Sequence, residues 1–247
     1  MVGSVIREDR AGVCTLTFNR PDKLNALTVE LFETLRRHVE ALEHDDSVGC
    51  VILRGAGKCF SAGHDLGDIG TGEVVPSRGW HSETLRMLER LPMPVIAAVH
   101  GHCYTGALEV ALACDFIVAS SDARFGDTHA KWALTPVWGM SQRLPRRVGI
   151  ATAKRLAFTS EMFGAEEALR IGLVECVWPA EEFGARVDAF SAMVTDNSRF
   201  SQAAYKRLFD ATDGMAMDAG LQWEVFRGEG RGADFKDRVA AFQRRKG

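Results

Sequence analysis

The sequence predicts an α/β fold, and three observations carry that reading. Strand-like and helix-like stretches alternate through the middle of the chain: 50–53, a helix over 81–90, 95–99, a helix over 104–113, then 116–119. The runs at 95–99 and 116–119 are continuously apolar, rich in branched residues and bounded by Pro, Gly and Asp, as buried strands are. Such alternation places functional loops at strand ends. Past Asn197 only helical apolar spacing remains.

In chain order, residues 4–8 and 13–18 read as a hairpin around Arg10-Ala11-Gly12. Thr28 can cap a helix whose Leu31, Leu35, Val39 and Leu42 form one apolar stripe. The strand at 50–53 feeds a glycine-rich loop, GAGKCFSAGHDL, over 55–66. The run over 67–79, rich in Gly, Ser and Pro, predicts a mobile surface loop before the helix at 81–90. Residues 123–125 read as a further strand, the segment VWGMSQRLPRRVG as a helix, and 151–158 as another. Helical spacing recurs over 164–171, 180–194, 200–211, 215–227 and 235–245, with a short extended piece at 173–177.

Composition narrows the function classes. A chain of 247 residues, 46% hydrophobic, can bury a substantial core. A net charge of −3 and no basic run beyond Arg244-Arg245-Lys246 argue against a nucleic-acid partner. No stretch approaches the roughly 20 apolar residues of a membrane span, and the start lacks a signal-peptide core, so a cytoplasmic protein is expected. The six cysteines show no metal-like spacing and read as reduced core residues. His100 and His102 flank Gly101 with no acid or cysteine at ligand spacing, so no metal site is expected.

Two stretches carry chemistry. In PVIAAVHGHCYTGALEVALACDFIVAS, Gly106 opens the first turn of the expected helix and leaves its N–H accessible to a ligand atom. Glu109, three residues on, shares that face. A charged acid in an apolar helix is either an ion-pair or dipole partner, or a functional group. The loop at 55–66 matches neither a P-loop nor a dinucleotide-binding glycine motif, and its glycines are turn formers or ligand contacts.

These stretches, together with NRPDKLNAL near the start and PVWGMSQRLPRRVG downstream, resemble in order and spacing the crotonase (enoyl-CoA hydratase/isomerase) family. The resemblance covers most of residues 1–180. It implies a crotonase (ClpP/crotonase-like) spiral of β-β-α units, with residues 1–196 as the core holding an acyl-CoA site. Residues 197–247 would be a helical lid or trimerisation region. It further implies an acyl-CoA substrate, no cofactor beyond the coenzyme A of that substrate, and assembly as a homotrimer or a pair of trimers.

By the same resemblance, the backbone N–H groups of His64 and Gly106 would hold the thioester oxygen, where negative charge develops. Glu109 falls on one of the two acids that hydratases of this family use. The segment that usually reads FGQPE is here FGDTH, which puts His129 where the second acid belongs, with Asp127 placed to orient it. Coenzyme A contacts carry over onto Lys23, Leu24, Ala26, Ala62, Asp65 and Leu66. Val137, Trp138 and Met140 stand where the family has small residues, and Trp138 is expected to reshape the acyl end of the pocket. Hydration of a 2-enoyl-CoA is the expected reaction. Because of His129, a hydrolase, decarboxylase or isomerase of another acyl-CoA or β-dicarbonyl is the alternative, and a non-catalytic acyl-CoA-binding subunit is a further one.

Overall fold

The computed structural model describes residues 3–65, 67, 70, 72 and 74–244. The hairpin β1 (Val5–Arg10) and β2 (Val13–Phe18) leads to α1 (Val29–Glu43) and β3 (Cys50–Gly55). Then come α2 (Trp80–Glu89), β4 (Val95–Val99), β5 (His102–Tyr104), α3 (Gly106–Leu112) and β6 (Phe116–Ser120). β7 (Arg124–Gly126) passes through a 3-10 turn (His129–Trp132) into α4 (Met140–Val148) and α5 (Ile150–Thr159). β8 (Phe163–Gly164), α6 (Ala165–Arg170), β9 (Cys176–Trp178) and α7 (Phe183–Thr195) follow. The described chain ends with α8 (Arg199–Thr212), α9 (Met217–Arg227) and α10 (Phe235–Arg244).

The α/β expectation holds. Six strands form one sheet in the order β1-β2-β3-β4-β6-β9, parallel from β2 to β9, with β1 antiparallel at the edge. The inner strands β3, β4 and β6 are covered on both faces, which is why they read as apolar runs. Val51, Leu53, Val95, Ala97, Val99, Ile117 and Ala119 face the main core, while Cys50, Ile52, Ile96, Ala98 and Val118 meet Phe183, Val187 and Val194 of α7. The stripe expected on α1 packs into the main core with Phe32 added, its start capped by Thr28, whose Oγ1 accepts from Leu31 N at 3.3 Å. Each such side chain, fully buried, contributes about 1.5–3 kcal/mol.

Two local readings change. The helix expected over 104–113 begins only at Gly106, because Tyr104 belongs to β5, which pairs with β7 in a second, three-stranded sheet with β8. Thr105, at φ 50° and ψ −106°, turns the chain sharply between strand and helix. The extended piece expected at 173–177 lies later, at Cys176–Trp178. Leu173 and Val174 instead bury their side chains in the turn after α6. Leu66 and part of the loop expected over 67–79 lie outside the described residues, as does Arg245.

Lys206 on α8 ties the C-terminal helices to the sheet. Its Nζ donates to Asp115 Oδ2 at 2.6 Å and to Met93 O at 3.1 Å, and the same carboxylate oxygen accepts from Val95 N at 2.7 Å. Replacing Lys206 with Met leaves Asp115 short of its cation in a partly shielded position. The variant is expected to lose about 1–2 kcal/mol of unfolding free energy. A urea midpoint equal to wild type would show that the link contributes nothing.

Candidate active site

Loop 55–65 is held against two neighbours by main-chain bonds. Phe60 N and Ser61 N donate to His100 O and His102 O at 2.8 and 2.9 Å, and Ala62 N donates to Leu24 O at 2.9 Å. Leu27 N donates to Gly63 O and Asp65 N to Leu27 O, both at 2.9 Å. Fully buried Asn25 locks the assembly: its Nδ2 donates to Ala56 O and Cys59 O, each at 2.8 Å, and its Oδ1 accepts from Arg20 N at 2.9 Å.

This clamp brings the two expected amides together. Gly63, at φ +100°, lies so close to the Tyr104 carbonyl that a Cβ there would come within 2.6 Å of its oxygen. A Cβ on Gly106 would stand 3.3 Å from His64 N and 2.7 Å from Cζ3 of Trp138. Only glycine fits at either position. The main chain at His64 and Gly106 therefore lies close together beside Trp138, within reach of one ligand atom.

Glu109 is 1% exposed, inside the expected site. Its Oε1 accepts from Trp138 N at 3.1 Å and Met140 N at 2.9 Å, and its Oε2 faces His129 Nε2 at 3.8 Å. Burial drives its pKa up from 4.5 to about 7, against the Met140 amide and the His129 charge, which favour the carboxylate. The other ring nitrogen of His129, Nδ1, lies 2.6 Å from Asp127 Oδ1, which also accepts from His129 N at 3.2 Å. An Nδ1–H donated to Asp127 leaves Nε2 as the ring atom aimed at Glu109. Burial opposes the imidazolium, but the hydrogen bond and charge of Asp127, with the Glu109 charge, outweigh it and raise the His129 pKa. The site thus holds a buried carboxyl group whose pKa is raised to about 7, opposite an imidazole braced by a second acid.

These groups line a cavity of about 620 Å³ with Ala62, Tyr104, Thr105, Thr128, Val137 and Met162. Its inner wall is aromatic. Trp138 is 4% exposed, stacks on His81 with ring centroids 4.7 Å apart, and touches Phe32 and His64. Burial, then the charge of His64, lowers the His81 pKa to about 4, so this ring is neutral in the stack at pH 7. The structure brings together His64, Gly106, Glu109, His129, Ala62 and Trp138. Lys23, Leu24, Ala26 and Asp65 lie on or against the neighbouring 20–27 loop, outside the cavity wall, where Asp65 pairs with Arg20 at 3.5 Å. Sequence reasoning missed Asn25, His81, Thr105 and Thr128. Asn25 sits inside the quoted NRPDKLNAL motif, but nothing in the pattern shows that its amide reaches two carbonyls more than thirty residues away.

The shifted Glu109 pKa makes a stability prediction. A carboxyl group whose folded-state pKa is raised favours folding most below its unfolded pKa and loses that contribution as pH rises to the folded value. Here the loss runs from pH 4.5 to about 7. Glu109→Gln, which stays neutral, is therefore expected to match wild type near pH 4.5 and to exceed it above pH 7 by about 3 kcal/mol or less. Denaturant titrations at both pH values test this, and an equal or lower stability of the variant at pH 8 would contradict it.

Comparison with known proteins agrees with this geometry. The family model described as "Enoyl-CoA hydratase/isomerase" matches residues 8–244. The chain is 36% identical to the short-chain-enoyl-CoA hydratase of Clostridium acetobutylicum, over 98% of this chain and 95% of that protein. It is 33% identical to the crotonyl-CoA hydratase of Syntrophomonas wolfei, over 87% and 84%. The crystal structure of an enoyl-CoA hydratase from Bacillus anthracis superposes with a TM-score of 0.92 at 30% identity, covering 98% and 96% of the two chains. The match of the family model over nearly the whole length, the full-length relatives and the superposed structure together make this chain a member of the enoyl-CoA hydratase/isomerase family, with the crotonase fold.

Proposed function

We propose that the protein hydrates 2-enoyl-CoA thioesters to 3-hydroxyacyl-CoA thioesters. The observation that carries this reading is the meeting of Glu109 and the Asp127-braced His129, 3.8 Å apart, beside the His64 and Gly106 amides. The thioester oxygen accepts from the two amides. One good donor of this kind stabilises a developing oxyanion by about 3–4 kcal/mol. Glu109, held as a carboxylate by the Trp138 and Met140 amides, takes a proton from water as its oxygen bonds to the β-carbon. The C=C electron pair moves to the α-carbon and thioester oxygen, and His129 imidazolium delivers a proton to the α-carbon. Proton transfer from Glu109 back to His129 restores the starting state. Water has then added across the double bond, with no net change in the protein.

Coenzyme A enters as part of the substrate, with no separate cofactor. Lys23, Leu24, Ala26 and Asp65, on or against the loop beside Ala62, are assigned to its binding. The large aromatic wall around Trp138 supports a short acyl group.

The test follows loss of the enone absorbance of crotonyl-CoA and longer enoyl-CoAs. Glu109→Gln and His129→Ala are each expected to lower kcat by about 10²–10⁴-fold, the range of a general acid or base. No turnover at any chain length, or turnover indifferent to Glu109→Gln, would sink the hydratase reading. Release of free thiol instead of hydration would assign a hydrolase.

Self-association belongs to the same reading. Tyr205 and Phe209 on α8, Val225 and Phe226 on α9, and Phe242 on α10 are exposed, and large apolar side chains at the surface of these helices suit a contact between subunits. A homotrimer or a pair of trimers is expected in sedimentation velocity. A single monomer peak at micromolar concentration would contradict it.

A further inference from the structure

Thr105 stands where the two halves of the site join, and the reaction steps above give it no task. Its φ of 50° and ψ of −106° form a backbone state that a β-branched residue rarely holds. Such a residue persists only where its surroundings enforce the conformation. The enforcing bonds all run to the strand and turn that carry Asp127 and His129. Thr105 N donates to Gly126 O at 2.9 Å, Thr128 N donates to Thr105 Oγ1 at 3.0 Å, and the two threonine hydroxyls lie 2.5 Å apart. On its other side, Thr105 precedes Gly106, whose amide borders the His64 amide, and its carbonyl accepts from Glu109 N at 3.0 Å.

One residue is thus bonded to both carriers of the chemistry: the turn bearing the oxyanion amide and Glu109, and the turn bearing the imidazole. A glycine would hold this backbone without strain. What the threonine side chain adds is the hydroxyl link to Thr128. We propose that Thr105 is a positioning residue whose hydroxyl, clasped by Thr128, fixes the His129 ring relative to the Gly106 amide and the Glu109 carboxylate. The proposal rests on the acid–base assignment made for these groups under the hydratase reading.

Three variants separate the hydroxyl from the backbone strain. Thr105→Ala keeps the strained backbone and removes the hydroxyl, Thr105→Gly removes both, and Thr105→Ser keeps both. A misplacement of the acid by a fraction of an ångström is expected to lower kcat on crotonyl-CoA by about 10- to 100-fold in the Ala and Gly variants. KM should stay within about threefold of wild type, since coenzyme A binds elsewhere, and the Ser variant should keep wild-type kcat. Thr105→Gly, relieved of strain, should melt no lower than Thr105→Ala, so a folded variant without the hydroxyl is available. A second readout needs no turnover: the imidazole C–H resonances of His129 should shift in Thr105→Ala and stay in place in Thr105→Ser.

Wild-type kcat in the Ala or Gly variant, a Ser variant as slow as Ala, or a loss confined to KM would each overturn the assignment. So would unmoved His129 resonances in Thr105→Ala. If wild type turns over no enoyl-CoA, the hydratase reading fails by itself, and the resonances still decide whether Thr105 positions His129.

Discussion

Glu109 is a carboxyl group almost wholly withdrawn from water, and the structure around it is shaped by the need to compensate that burial. Two main-chain amides of the 138–140 loop turn inward to bond one of its oxygens, which fixes where that loop runs and brings the Trp138 indole over Gly106. The other oxygen is left facing His129. Burial alone would leave an acid protonated and inert at neutral pH. The amides and the imidazole pull it back to a value where it can take up and release a proton.

The imidazole has the opposite difficulty, since burial disfavours its charged form, and Asp127 answers it. A second glutamate opposite Glu109 would place two negative charges together and force one to be protonated. A histidine at this place avoids that conflict, and its bond to Asp127 and the facing Glu109 favour the imidazolium. The donor amides need no such tuning. They come from main chain clamped by Asn25, by the pairing of loop 55–65 with residues 100–102, and by the turn at Thr105.

Much of this was legible from residues alone. The doubly covered strands announced themselves as unbroken apolar runs, and the spacing of Gly106 and Glu109 placed an amide and an acid on one helix face. His129 follows from the resemblance, which sets FGDTH against the family's FGQPE. The rest depends on contacts between distant segments. Tyr104 reads as a helix former but is captured by β7, and the strained turn that follows it is bonded to Gly126 and Thr128. His81 lies on an unremarkable helix and bears on the pocket only from behind its wall, through its stack on Trp138. Asn25 shows its importance only once the carbonyls of Ala56 and Cys59 are seen within reach of its amide.

Hydration as proposed requires one substrate oxygen to meet the His64 and Gly106 amides while the reacting carbons lie between Glu109 and His129. A crystal structure of the protein with a bound, slowly reacting acyl-CoA measures this directly. The thioester oxygen should lie about 3 Å from both nitrogens, with the β-carbon on the Glu109 side and the α-carbon on the His129 side. A thioester oxygen bonded to neither amide, or an acyl group directed away from both Glu109 and His129, would contradict the account.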